Sequence, residues 1–138
     1  MKVHSTNYFN TFIEVAADCL AENGQVPPLK GNKKSVANLQ YEMISKEPYR
    51  FTSDELLFEI YALRNDLSQK EYPEARNIFF SKGQPCLRAS PLTKRYGFGI
   101  HSDHLGKIAL YGRETEAYEK FLEDSSISKV KAMRSKKA

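Results

Sequence analysis

The sequence predicts an α+β fold: a mainly antiparallel sheet with three consecutive helices and one short C-terminal helix. Three observations carry this. Helix-capping patterns crowd residues 35–83. A hairpin signature dominates residues 96–112. The two kinds of element are segregated along the chain, which disfavours a doubly wound parallel sheet. At 138 residues the chain has the size of one domain and can bury a core without disulfide or metal staples. A single domain over 1–138 is expected, with a frayed basic tail at 135–138.

Phe9 to Val15 is rich in aromatic and β-branched residues and reads as a strand. Asp18 to Lys34 carries Asn23-Gly24, Pro27-Pro28 and Gly31-Asn32, turn chemistry that predicts a long loop. Ser35 caps a helix running to about Lys46, with Val36, Leu39, Gln40 and Met43 on its buried face. Thr52 and Glu55 form a capping box, with Phe51 and Leu56 as hydrophobic staple. The helix they start should reach about Asn65 and bury Leu56, Leu57, Ile60, Tyr61 and Leu63. Ser68 and Glu71 repeat the box, but Pro73 conflicts with it. Pro73 is expected to open the regular helix at its first position instead. That helix buries Ala75, Ile78 and Phe79 and stops at Gly83.

Cys86 to Ser90 reads as a strand. Tyr96–Asp103 and Lys107–Gly112 read as a hairpin, with Gly106 at the left-handed position of a three-residue loop. That register pairs Asp103 with Lys107, Ile100 with Leu110 and Gly99 with Tyr111. Glu114–Leu122 is a short helix with Ala117, Tyr118, Phe121 and Leu122 on one face. Val130–Arg134 is a last strand.

The start of the chain has no apolar signal-peptide core, and no apolar run approaches the ~18 residues of a membrane span. The two cysteines, Cys19 and Cys86, are expected to be reduced thiols in a cytoplasmic protein. The net charge of +4 is unevenly spread: residues 75–102 hold five Lys or Arg and no acid, and residues 125–138 hold another five with none. Both flanking segments are net acidic. Such blocks suit an anionic partner.

Phe79-Phe80-Ser81-Lys82-Gly83-Gln84-Pro85-Cys86-Leu87-Arg88-Ala89-Ser90-Pro91-Leu92 is a distinctive stretch, continued by Lys94-Arg95-Tyr96-Gly97-Phe98-Gly99-Ile100-His101 and by Val130-Lys131-Ala132-Met133-Arg134-Ser135. These segments resemble a small bacterial family of uncharacterised proteins, a domain of unknown function. The resemblance implies a one-domain bacterial protein and brings no activity, ligand or site residue.

The acid-free block is the most informative place for a site. As a strand, Cys86–Ser90 would set Cys86, Arg88 and Ser90 on one face. An Arg beside a hydroxyl suits a carboxylate or phosphate. The expected anion site is therefore Arg88, Lys94 and Arg95, with Cys86, Ser90 and His101 nearby and Tyr96 or Tyr111 as a wall. The structural alternative is that Arg88 pairs with a helix carboxylate. Cys86 with His101 as base would make an enzyme, but inert cysteine is the commoner state. His101-Ser102-Asp103-His104 lacks a second ligand pair at zinc-like spacing, so no metal is expected. No phosphate-loop or dinucleotide fingerprint is present, and no cofactor is expected. Lys129, Lys131, Arg134, Lys136 and Lys137 give a basic tail that suits nucleic acid, without interleaved aromatics or a reading motif. The leading expectation is a cytoplasmic binding domain for an anionic small molecule. The alternatives are an enzyme on such a substrate and a nucleic-acid or protein interaction module.

Overall fold

The computed structural model describes residues 4–135. Its architecture is α+β. Four strands, β1 (Thr11–Glu14), β2 (Phe98–Ser102), β3 (Ile108–Gly112) and β4 (Ser128–Lys131), form one sheet in the order β3-β2-β1-β4. The β1–β2 and β2–β3 pairs are antiparallel, and β4 joins β1 in parallel. The sheet is thus mixed, with antiparallel pairing predominant.

Three helices follow one another between β1 and β2: α1 (Val36–Lys46), α2 (Ser53–Arg64) and α3 (Tyr72–Phe79). A single turn, α4 (Pro91–Lys94), follows them, and α5 (Glu116–Glu123) lies between β3 and β4. The starts of α1 and α2 come from local chemistry. Ser35 and Asn38 close a capping box on α1, and Thr52 and Glu55 close one on α2. Each box satisfies amide donors that a helix start leaves without intrahelical partners.

The sheet has two covered faces. Ile13, Ile100 and Ile108 point to one, where Ile44, Leu56, Ile60, Leu87 and Leu92 meet them. On the other face Phe12 packs edge-on against Tyr118 and stacked on Phe121, with both centroid distances at 5.0 Å. The Tyr118 hydroxyl accepts the Val15 amide at 2.9 Å. The β3 edge is blunted by the segment after α1: Tyr49 N–H donates to the Ile108 carbonyl, and Ile108 N–H donates to the Phe51 carbonyl.

The hairpin has the expected register, Gly99 opposite Tyr111 and Ile100 opposite Leu110. Asp103 and Lys107 flank the turn, and Gly106 takes φ +81°. Gly99 lies on the α5 face, where an added Cβ would strike the Phe12 and Tyr118 rings.

Several expectations need correction. Cys86–Ser90 is not a strand. Leu87–Ala89 is a 3-10 turn, and the Ser90 hydroxyl caps α4, whose first residue is Pro91. Two prolines bracket this segment, and the hydroxyl turns it into a helix start. The Ser68–Glu71 box does form, around a 3-10 turn at Gln69–Glu71, and α3 follows directly from it. Box and proline coexist because the box closes before the α-helical turns begin. In α3 Ile78 is 58% exposed, and the helix ends before Gly83. In α1 Gln40 is buried as expected and Val36, Leu39 and Met43 pack half-buried against the core, while Ala37, Asn38 and Ile44 are buried more deeply. Two contacts engage the buried polar side chains: Asn38 Nδ2 donates to the Pro27 carbonyl, and the Ser90 hydroxyl donates to Gln40 Oε1. In α2 Phe58 and Ala62 are buried, whereas Tyr61 and Leu63 are exposed. Phe58 is drawn inward by a second aromatic cluster with Phe80, Tyr72 and Phe79. The last strand runs over Ser128–Lys131, starting two residues and ending three residues earlier than expected. The expected tail lies outside the described residues except for Ser135.

Candidate functional site

One side of α2 faces a groove of about 610 Å³, within the ~300–1,000 Å³ usual for small-molecule sites. Leu57, Ile60, Tyr61, Arg64 and Asn65 line it. Their spacing is one helical stripe. The rest of the wall comes from Val36 and Gln40 of α1, Phe79 of α3, and the segment from Gln84 to Pro91. The Tyr61 and Phe79 rings meet at 4.8 Å. Apolar and polar side chains share the wall, with Gln40, Asn65, Gln84 and Ser90 among the polar ones.

Arg64 is the only cation of the groove lining. It lies in the last turn of α2 and is exposed. The ion pairs among the described residues are Lys34–Glu42, Glu47–Arg50 and Glu116–Lys120, all at the surface. Arg64 makes neither an ion pair nor a side-chain hydrogen bond within them, so its guanidinium keeps its full fork of donors.

Cys86 and Ser90, two of the expected site residues, line this groove. The Cys86 sulfur lies 3.6 Å from the Tyr8 hydroxyl. Burial raises the Tyr8 pKa, contact with Cys86 raises it further, and the nearby Arg88 guanidinium opposes both. Cys86 and Cys19 are free thiols.

The other expected residues are elsewhere. Arg88 Nε donates to the Lys131 carbonyl at 2.7 Å, and the Arg88 carbonyl accepts the Met133 amide. This side chain fastens the end of β4 and is absent from the groove lining. Its observed partner is a backbone carbonyl rather than a helix carboxylate. Lys94 and Arg95 border a separate depression of about 500 Å³ with Asp18, Leu20 and Ser135. Of the remaining cations in the acid-free block, Arg76 sits over the rings of Phe58 and Phe80. The block is therefore dispersed around the fold instead of converging.

His101 lies on the α5 face of the sheet, opposite the face that Ile100 shares with Leu87. It does not meet Cys86. Its ring stacks on Phe121 at 4.3 Å, and its Nδ1 lies 2.8 Å from the Tyr49 hydroxyl. Burial lowers the His101 pKa, with Asp103 and Asp124 pulling the other way. Tyr49 also meets the Tyr111 hydroxyl at 2.7 Å, and burial and that contact raise its pKa strongly. Tyr111 is thus a partner of His101's network rather than a wall beside Arg88.

Among the described residues no three His, Cys, Asp or Glu side chains are grouped to hold a metal ion. No helix among them is long and apolar enough to cross a membrane. From the basic tail, Lys129 Nζ donates to the Asp124 carbonyl, and Lys136 and Lys137 lie outside the described residues.

Arg64 and Gln84 were not among the expected site residues. Arg64 belongs to the net-acidic first half, so block charge drew attention away from it. The available signal was the stripe at 57, 60, 61, 64 and 65, which extends an apolar helix face into a cation and an amide.

A model described as a family of unknown function, DUF6157, matches residues 3–138, and the chain belongs to that family. No curated protein and no solved structure matches the chain.

Proposed function

We propose that this protein binds a small anionic molecule in the groove along α2. Arg64 recognises the charge, and Cys86 and Ser90 stand on the facing wall. The observation that supports this reading is an unpaired guanidinium in a groove that Val36, Leu57, Ile60 and Phe79 help to wall. A guanidinium offers paired donors that fit a carboxylate or phosphate. The apolar wall adds affinity for a ligand body that leaves water. The ligand on this reading is a cytoplasmic metabolite, in keeping with the compartment expected from the sequence. The role is binding rather than catalysis, since Cys86 and His101 lie on opposite sides of the sheet.

The test is a thermal-shift panel of carboxylates and phosphates, each paired with its neutral ester. A ligand that binds only the folded form stabilises it by about 2.7 kcal/mol at one hundred times its Kd. The acids should raise the midpoint and the esters should not. Arg64→Ala should remove the shift without altering the unliganded midpoint, because the side chain is exposed. Equal shifts from acids and esters, or a shift that survives Arg64→Ala, would refute the reading.

A further inference from the structure

The groove contains a second unfilled polar group. Gln40 is only 3% exposed, yet it lines the groove. Its Oε1 accepts the Ser90 hydroxyl at 2.5 Å. The direction of that bond follows from Ser90, whose oxygen already accepts the Leu92 amide at 3.1 Å and so offers its proton to Gln40. Gln40 Nε2 donates to no described residue. Among the described residues, no fully buried side-chain nitrogen or oxygen lacks a partner. The Nε2 atom is therefore not sealed in, and the space it can reach is the groove. A nearly buried amide with its oxygen fixed and its donors free is a preset hydrogen-bond donor.

The positions around it have an order. Leu57 and Ile60 lie toward the start of the α2 stripe and Arg64 at its end. Seven residues separate Leu57 from Arg64, about 10 Å of helix axis. The stripe thus offers an apolar length and a cationic terminus, and the facing α1 wall offers one neutral donor.

We propose that the ligand class is an acyl-chain carboxylic acid with a carbonyl partway along the chain. Its carboxylate meets Arg64, its carbonyl oxygen accepts from Gln40 Nε2, and its chain lies against Leu57, Ile60 and Tyr61. This rests on the anion-binding reading of the same groove and adds a second recognition element to it. A ligand without the carbonyl leaves the Gln40 donors unpaired, and desolvating them opposes binding.

The experiment is calorimetric titration of the full chain with three probes: 4-oxoundecanoate, undecanoate and methyl 4-oxoundecanoate. The two acids differ only in the carbonyl. The expected result is that the oxo acid binds roughly fivefold more tightly than undecanoate, while the ester binds weakly. Gln40→Met should bring the two acids to equal affinity. If that variant fails to fold, the wild-type ratio still decides, as does the Gln40 side-chain amide resonance, which should move with the oxo acid and not with undecanoate. Equal affinities of the two acids in the wild type, with the ester still weak, overturn this inference and leave the anion reading standing. No binding by either acid, or binding of the ester as tight as the acids, overturns both.

Discussion

The Tyr49 hydroxyl lies 2.8 Å from Nδ1 of His101, and the same oxygen lies 2.7 Å from the Tyr111 hydroxyl. A residue from the connection after α1 thus reaches around the β3 edge and joins side chains of two strands. Tyr49 holds φ +61° to do so, a backbone region that costs a non-glycine residue energy and is kept only by its surroundings. Tyr49→Phe should therefore destabilise the fold by about 1–2 kcal/mol, the cost of leaving two half-buried polar groups short of a partner. Urea unfolding measures it. A loss too small to detect would mean that water replaces the hydroxyl without cost.

The same cluster sets a pH dependence. Burial lowers the folded-state pKa of His101. On acidification the unfolded chain protonates this site first, near the ordinary histidine value of about 6.5. The stabilising contribution is complete above that pH and is lost as pH falls toward the folded pKa. Unfolding free energy should decline below about pH 6.5, and His101→Gln should flatten that part of the profile. An unchanged slope in the variant would assign the decline to other groups.

Asp54 sits in the first turn of α2 and ties down the chain ahead of β1. Its carboxylate accepts from the Ser5 hydroxyl at 2.8 Å and from the Thr6 amide and hydroxyl at 2.7 Å each. Hydrogen bonds to a charged group are worth more than neutral ones. Asp54→Ala should cost about 2–3 kcal/mol, and the Thr6 amide should exchange much faster with solvent. Retained protection at Thr6 would show that other contacts hold the segment.

Gly99 faces the Phe12 and Tyr118 rings so closely that an added methyl group has no room. Gly99→Ala should destabilise by about 1–3 kcal/mol through overpacking. Its cross-strand neighbour Tyr111 should change its aromatic resonances as the rings move. A neutral substitution would mean that the α5 face repacks freely.

Local chemistry made much of this fold readable in the sequence. The Ser35 and Thr52 caps, the Gly106 turn and the Gly99–Tyr111 register each depend on residues near one another in the chain or the hairpin. Long-range contacts were not readable. Nothing in the sequence around Gln40 says that Ser90 will meet it. The alternation across Cys86–Ser90 suggested a strand, yet Pro85, Pro91 and the Ser90 hydroxyl favour a turn and a cap. The candidate groove was legible only in part. Cys86 and Ser90 do line the groove, whereas the absence of acids in residues 75–102 implied a convergence that the fold does not make. Charge along a chain becomes charge in a site only where the fold brings it together.

Arg88 illustrates that difference. Its link to the Lys131 carbonyl predicts that Arg88→Ala loosens β4. The cost should be about 1 kcal/mol, with faster amide exchange at Met133, whose amide bonds the Arg88 carbonyl. Affinity for a groove ligand should be unchanged. A large loss of affinity would return Arg88 to the site.

The most direct measurement is a nitrogen-15 NMR titration of the whole chain with undecanoate, following the side-chain Nε–H signals of Arg64, Arg88 and Arg95 together. Binding at Arg64 predicts that its signal shifts and saturates with the ligand, while Arg88 and Arg95 stay in place. Saturation at Arg88 or Arg95 with Arg64 unmoved would contradict it.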